Sequence, residues 1–229
     1  MLNDGFFDGI RPKFLLVQNV ERNSENLQHV TDWMADNRAT EFRMFLDERR
    51  EKTRLDEVAS KGFFNAASFK YVLNRILYST IGHDYNKKVF SADLQDELFS
   101  GGMGDKVVFF YQDLRWAQKQ TSQIAVDVNK NMNILAELLR EKGIELIFLP
   151  AVDKYDLYRD FMFSPKYSEI SFFETLRELP KNYHLIDSKM ILHQLLRDGE
   201  KDVYWQDDTH WSWKASKAIA ENIATVVNP

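Results

Sequence analysis

Gly143-Ile144-Glu145-Leu146-Ile147-Phe148-Leu149-Pro150 follows a stretch, about 121–142, in which Ile124, Val128, Met132, Leu135, Leu138 and Leu139 share one helical face. That spacing predicts an amphipathic helix, and Gly143 supplies the left-handed residue that ends it. The apolar run after the glycine is short and unbroken, as in a strand covered on both faces. A helix that ends at glycine and feeds an apolar strand is half of a parallel βαβ crossover. Pro12-Lys13-Phe14-Leu15-Leu16-Val17-Gln18-Asn19-Val20 reads as another buried strand, with further strands at 107–111 and 183–186. Helices are expected at 65–80, where Phe69, Val72, Leu73, Ile76 and Leu77 recur, at 190–196, and at 212–226 behind a Ser212 cap. Residues 82–106 read as a long connection and 151–158 as a polar, aromatic loop. The expected fold is α/β, a three-layer α/β/α sandwich around a mostly parallel sheet. One domain is expected over 1–229, with a helical insertion at about 26–105. Ligands of such sheets sit at the carboxyl ends of the strands, where the loops after Val20, Pro150 and Ser188 and the 207–211 loop converge.

Composition removes several function classes. A net charge of −5 without a basic run argues against nucleic acid as a partner. No apolar run approaches bilayer length, so no transmembrane segment is expected. Cysteine is absent, which excludes disulfides, cysteine nucleophiles and thiolate metal sites. The five histidines lack metal-ligand spacing, so neither a metal nor another cofactor is expected. Gly101, Gly102 and Gly104 lack the Lys-Ser/Thr of a phosphate-binding loop and read as a turn. Met1 to Gly5 has neither the basic nor the apolar segment of a signal peptide.

The chemistry concentrates in Tyr204-Trp205-Gln206-Asp207-Asp208-Thr209-His210-Trp211, just before the last helix. A carboxylate this near an imidazole can bind one ring nitrogen and leave the other free to take a proton. That is the acid and base of a hydrolase or acyltransferase triad. The competing reading is a capping network, with Asp208 and Thr209 satisfying backbone N–H groups at a helix entry. Asp207 and Asp208 both remain possible orienters of His210. Trp205 and Trp211 suit either a sugar platform or core packing. Ser188 is a leftover candidate nucleophile without a flanking glycine.

The Asp208-Thr209-His210-Trp211 block before a C-terminal helix resembles the SGNH hydrolase superfamily, in particular its alginate O-acetyltransferase-like branch. Two further stretches resemble the same branch, the 12–22 strand ending in Glu21-Arg22 and the Leu149-Pro150-Ala151-Val152-Asp153-Lys154-Tyr155 strand and loop. The resemblance implies a serine that takes an acetyl group, His210 as base and Asp208 as its orienting acid, with Asp207 at the spacing of other SGNH hydrolases. It implies a polysaccharide or small acyl-ester substrate and a periplasmic or cell-envelope location. Arg22, Asn19 and Asn23 are the implied oxyanion or substrate contacts, joined by Lys154, Tyr155, Tyr158 and Trp211. Ion pairing of Arg22 with Glu21 or Asp153 is the structural alternative.

The nucleophile block is the departure. The chain contains no Gly-Asp-Ser and no Gly-x-Ser-x-Gly, and only eleven residues precede Pro12. The expectation is a fold incomplete at its N-terminus, with the serine upstream, and a chain inactive by itself. The 14–17 strand would then be an exposed edge that invites dimerisation. A non-catalytic carbohydrate-binding or scaffold protein of the same fold is the rival reading.

Overall fold

The structure, a computed structural model, describes residues 12–29, 73, 76–77, 80–84, 86–165 and 170–228. Its main sheet has three parallel strands, β1 (Phe14–Val20), β4 (Glu145–Ala151) and β5 (His184–Leu185), in the order β1-β4-β5. β1 and β4 run level from Phe14 opposite Glu145 to Val20 opposite Ala151. β5 meets β4 at Ile147 and Phe148 only. A 3-10 segment, Glu21–His29, leaves the end of β1. β2 (Val89–Asp93) and β3 (Lys106–Phe110) form a separate antiparallel pair. After residue 110 the α-helices among the described residues are α1 (Tyr111–Lys119), α2 (Ser122–Arg140), α3 (Lys154–Tyr158), α4 (Phe172–Glu178), α5 (Ser188–Arg197) and α6 (Trp213–Val227).

The helix, glycine and strand unit forms as its periodicity requires. α2 buries Ile124, Val128, Met132, Leu135 and Leu139, and Gly143 turns the chain with φ +73°. A β-carbon at Gly143 would meet nothing within 4 Å, so the glycine is needed for its backbone angle and not for space. Every residue of β4 after Glu145 is buried, so both of its faces are covered. α2 with α4 and α5 with α6 provide that cover, giving the α/β/α sandwich. Fully burying a side chain such as Leu146 or Phe148 contributes about 1.5–3 kcal/mol.

Three expectations change in detail. The 82–106 connection contains β2, and its antiparallel pairing draws 106–110 into the second sheet. The 151–158 loop contains α3, all five of whose residues are buried. At five residues, each of these elements depends on tertiary contacts rather than on a periodic signal. Of the expected 65–80 helix, Leu73, Ile76, Leu77 and Thr80 are described and are helical, while Phe69 and Val72 lie outside the described residues. Most of the expected 26–105 insertion, residues 30–72, also lies outside them.

β1 pairs only with β4 among the described residues, and Leu16 on it is 45% exposed. Such an edge offers a row of free N–H and C=O groups to another strand. We expect self-association through it. Light scattering well above micromolar concentration should give a dimer that Leu16→Lys shifts towards monomer, and a wild-type monomer there would contradict the assignment.

Candidate active site

Level ends of β1 and β4 deliver Glu21-Arg22 and Asp153-Lys154 to neighbouring positions at the carboxyl edge of the sheet. Glu21 is fully buried and accepts hydrogen bonds from Trp116 Nε1 at 3.1 Å and from Asp153 N at 2.9 Å. Arg22 pairs with Asp153 and reaches Asp113 Oδ1 at 3.3 Å, while Asp113 Oδ2 lies 3.5 Å from Tyr155 N. Lys189 holds Asp156 and Glu174, each at 2.9 Å. Burial lifts the carboxyls of Glu21, Asp113, Asp153 and Asp156. Asp113 rises to about 6 and Asp156 to about 7, opposed by Arg22 and by Lys189 respectively. Glu21 rises through burial and then through the charges of Asp156 and Asp153. Asp153 rises through burial and the charge of Asp113, against Arg22.

Above this base lies the 204–211 loop. Tyr204 and Trp211 form an antiparallel bridge, and Trp211 Nε1 donates to Tyr204 Oη at 2.5 Å. Tyr204 Oη donates in turn to Val152 O at 2.5 Å, which fastens the loop to the end of β4. Trp205 N donates to His210 O at 3.3 Å, so Trp205 and His210 occupy the next rung and project from the opposite face. Exposure follows that alternation: Tyr204 is buried, Trp205 is 48% exposed and the His210 side chain 81%. Asp208 Oδ1 lies 2.5 Å from His210 Nδ1 and accepts from His210 N at 3.1 Å. The hydrogen bond from the His210 ring holds the Asp208 carboxyl below the usual carboxylate range. Among the described residues, nothing is hydrogen-bonded to His210 Nε2.

A sequence model of the family described as SGNH hydrolase-like domain, acetyltransferase AlgX, matches residues 103–229, more than half of the chain. The chain belongs to this family. Comparison with curated proteins and with solved structures finds no match. The matched span of the SGNH hydrolase-like domain takes in Asp113, Asp153, Lys154 and the whole 204–211 loop, and leaves β1, Glu21 and Arg22 outside.

The other candidates occupy distinct places. Asp207 makes no hydrogen bond to the histidine among the described contacts, and its charge acts on Lys154. Lys154, Tyr155 and Tyr158 are buried under the loop rather than exposed on a cleft wall. Lys154 Nζ donates to the carbonyls of Trp205, Gln206 and Asp208 at 2.6, 2.8 and 3.1 Å. Its burial pulls the ammonium down to about 7, against the charges of Asp113, Asp207 and Asp208. Tyr158 Oη accepts from Tyr204 N at 3.3 Å, and Tyr155 packs its ring against Phe109. Asn19 donates to Val20 O at 2.9 Å and lies 3.4 Å from Ser24 Oγ, and Asn23 is exposed. Ser188 is fully buried, donating to Pro150 O at 2.5 Å and accepting from Val152 N at 2.9 Å, so its hydroxyl is held inside the fold.

Supporting residues that sequence reading did not single out are Asp113, Tyr204 and Gln206. Gln206 donates to Met103 O and, at 3.1 Å, to Lys106 O, tying the loop to the 101–104 turn. A β-carbon on Gly101 would lie 2.7 Å from Gln206 Oε1, so the two residues are closely apposed. Nothing local marks Asp113 beyond a lone carboxylate early in a helix.

Two outcomes follow from the buried chemistry. Asp156 moves from 3.8 to about 7 on folding, so its stabilising contribution is complete below 3.8 and is lost as pH rises through 7. Asp156→Asn is expected to flatten the fall in stability across that window in urea titrations, and parallel profiles would contradict the assignment. Tyr204→Phe strands Val152 O and Trp211 Nε1, and a loss of about 1–3 kcal/mol is expected in the same assay.

Proposed function

We propose that this chain carries the acid and base of a serine-dependent O-acetyltransferase or esterase that acts on cell-envelope polysaccharide. The observation that supports it is the Asp208–His210 hydrogen bond on Nδ1, with the opposite edge of an exposed ring open. Asp208 holds one tautomer and stabilises the imidazolium that forms during reaction. His210 Nε2 takes the proton of a serine hydroxyl as its oxygen attacks an acetyl carbonyl. The proton passes to the departing alcohol when the ester bond breaks, leaving an acetyl-serine. A sugar hydroxyl or water then gives its proton to His210 and attacks the acetyl carbon, and His210 returns that proton to the serine oxygen as the acetyl-serine bond breaks. Arg22 is committed to Asp113 and Asp153, so its part is to hold the base of the site.

The serine is the component that the described residues do not bring to His210. The chain has no Gly-Asp-Ser block, and Ser188 is held in the core. In this reading the nucleophile docks against the open edge of the imidazole. Periplasmic or envelope placement and the polysaccharide substrate rest on the family alone.

A second reading is favoured by one observation. The Trp205 indole is exposed on the same face as His210, as in a platform for a sugar ring. A saccharide-binding scaffold without turnover would use that face equally well.

Acetyl release and transfer by the native protein, with acetylated polysaccharide as substrate, separates the two. Acid–base catalysis predicts a loss of about 10²–10⁴-fold in turnover for His210→Ala with saccharide binding retained. Binding without turnover even in a form that also carries a Gly-Asp-Ser block, indifferent to His210→Ala, would establish the scaffold instead.

A further inference from the structure

Three backbone carbonyls of one loop, those of Trp205, Gln206 and Asp208, converge on the Lys154 ammonium at 2.6, 2.8 and 3.1 Å. Carbonyl oxygens repel one another, so such a cluster requires a cation or a set of donors at its centre. An ammonium offers three N–H donors from a compact charge, one for each carbonyl. Lys154 is 1% exposed, and no carboxylate lies within ion-pair distance of it among the described residues. Its remaining neighbours are the ring faces of Phe99 and Tyr204, at 5.3 and 6.0 Å. The ammonium is therefore spent on the loop and not on an ion pair or on a ligand in solution.

The residue it holds is also the residue that orients the base. Asp208 gives its carbonyl to Lys154 and its carboxylate to His210. Displacing the main chain of Asp208 therefore displaces the hydrogen bond that selects the His210 tautomer. We propose that Lys154 positions the Asp208–His210 pair by drawing the 205–208 main chain onto the end of β4. This rests on the acid–base reading of that pair. Lys154 touches no reacting atom in this arrangement, since it acts through the loop.

The test uses the protein's lack of cysteine. Lys154→Cys has a single thiol, and alkylating it with 2-bromoethylamine before refolding restores an ammonium at nearly the reach of lysine. Lys154→Met keeps the length and removes the charge. Amide exchange is followed at Trp205 and His210 in the loop and at Ile147 and Phe148 in β4. In Lys154→Met the loop amides should exchange about tenfold or more faster while the β4 amides keep their protection. Aminoethylated Lys154→Cys should recover the slow exchange that the unmodified variant lacks. Turnover, where present, should fall in kcat with KM unchanged.

Loop exchange at the wild-type rate in Lys154→Met would overturn the proposal. Equal loss of protection in β4 would do so as well, because Lys154 would then hold the fold and not the loop. A proton on Nε2 of His210 in the wild type, with the exchange pattern as expected, would remove the acid–base reading and leave the clamp.

Discussion

Parallel pairing of β1 with β4 determines where each charge of the site falls. The strands end level, at Val20 and Ala151, so Glu21-Arg22 and Asp153-Lys154 emerge together where the sheet stops. A shift of one residue would turn the following side chains to the opposite face and separate Arg22 from Asp153. Pairing on this register gathers Glu21, Asp113, Asp153 and Asp156 in the interior with Arg22, Lys154 and Lys189. Buried charges of this kind stand only with partners, and most of these have them. Asp153 Oδ2 and Asp156 Oδ2 are buried without a hydrogen bond. That agrees with the upward displacement of both carboxyls.

The long elements were legible in the chain for a plain reason. α2 repeats its apolar spacing over several turns, Gly143 ends it, and β4 is apolar throughout, so three independent signals coincide. β2 and α3 have five residues each and carry no such redundancy. Lys154 and the tyrosines after it show the limit in another way. A polar, aromatic run reads as a surface loop, yet here the end of β4 and the 204–211 loop enclose it. Ser188 is a similar case, because a serine after a strand does not reveal that its hydroxyl already bridges Pro150 and Val152. The Asp208 and His210 pair was accessible from spacing alone, since residues two apart in a tight loop can share a hydrogen bond. The bonds that support it span 51 to 103 positions, from Lys154 to the loop carbonyls, Tyr204 to Val152 and Gln206 to Met103 and Lys106, and no local pattern points to them.

The site divides by exposure. Its base is buried charge, its middle is a loop fixed by the Lys154 ammonium, the Tyr204 hydroxyl and the Gln206 amide, and its outer face is Trp205 with His210. A base that must meet a mobile proton benefits from an open edge, while its orienting partner benefits from a rigid one. The family places this arrangement among SGNH hydrolase-like domains. The geometry says how the fold holds the Asp208–His210 pair in order, which is what the proposed acid–base role requires.

The most direct test is the tautomer of His210 in the wild-type protein, read from its ring ¹⁵N shifts with the imidazole uncharged. The account predicts a proton on Nδ1, directed at Asp208, and a bare Nε2. A proton on Nε2, or free exchange between the two tautomers, would contradict it, because His210 would then have no oriented nitrogen with which to act as a base.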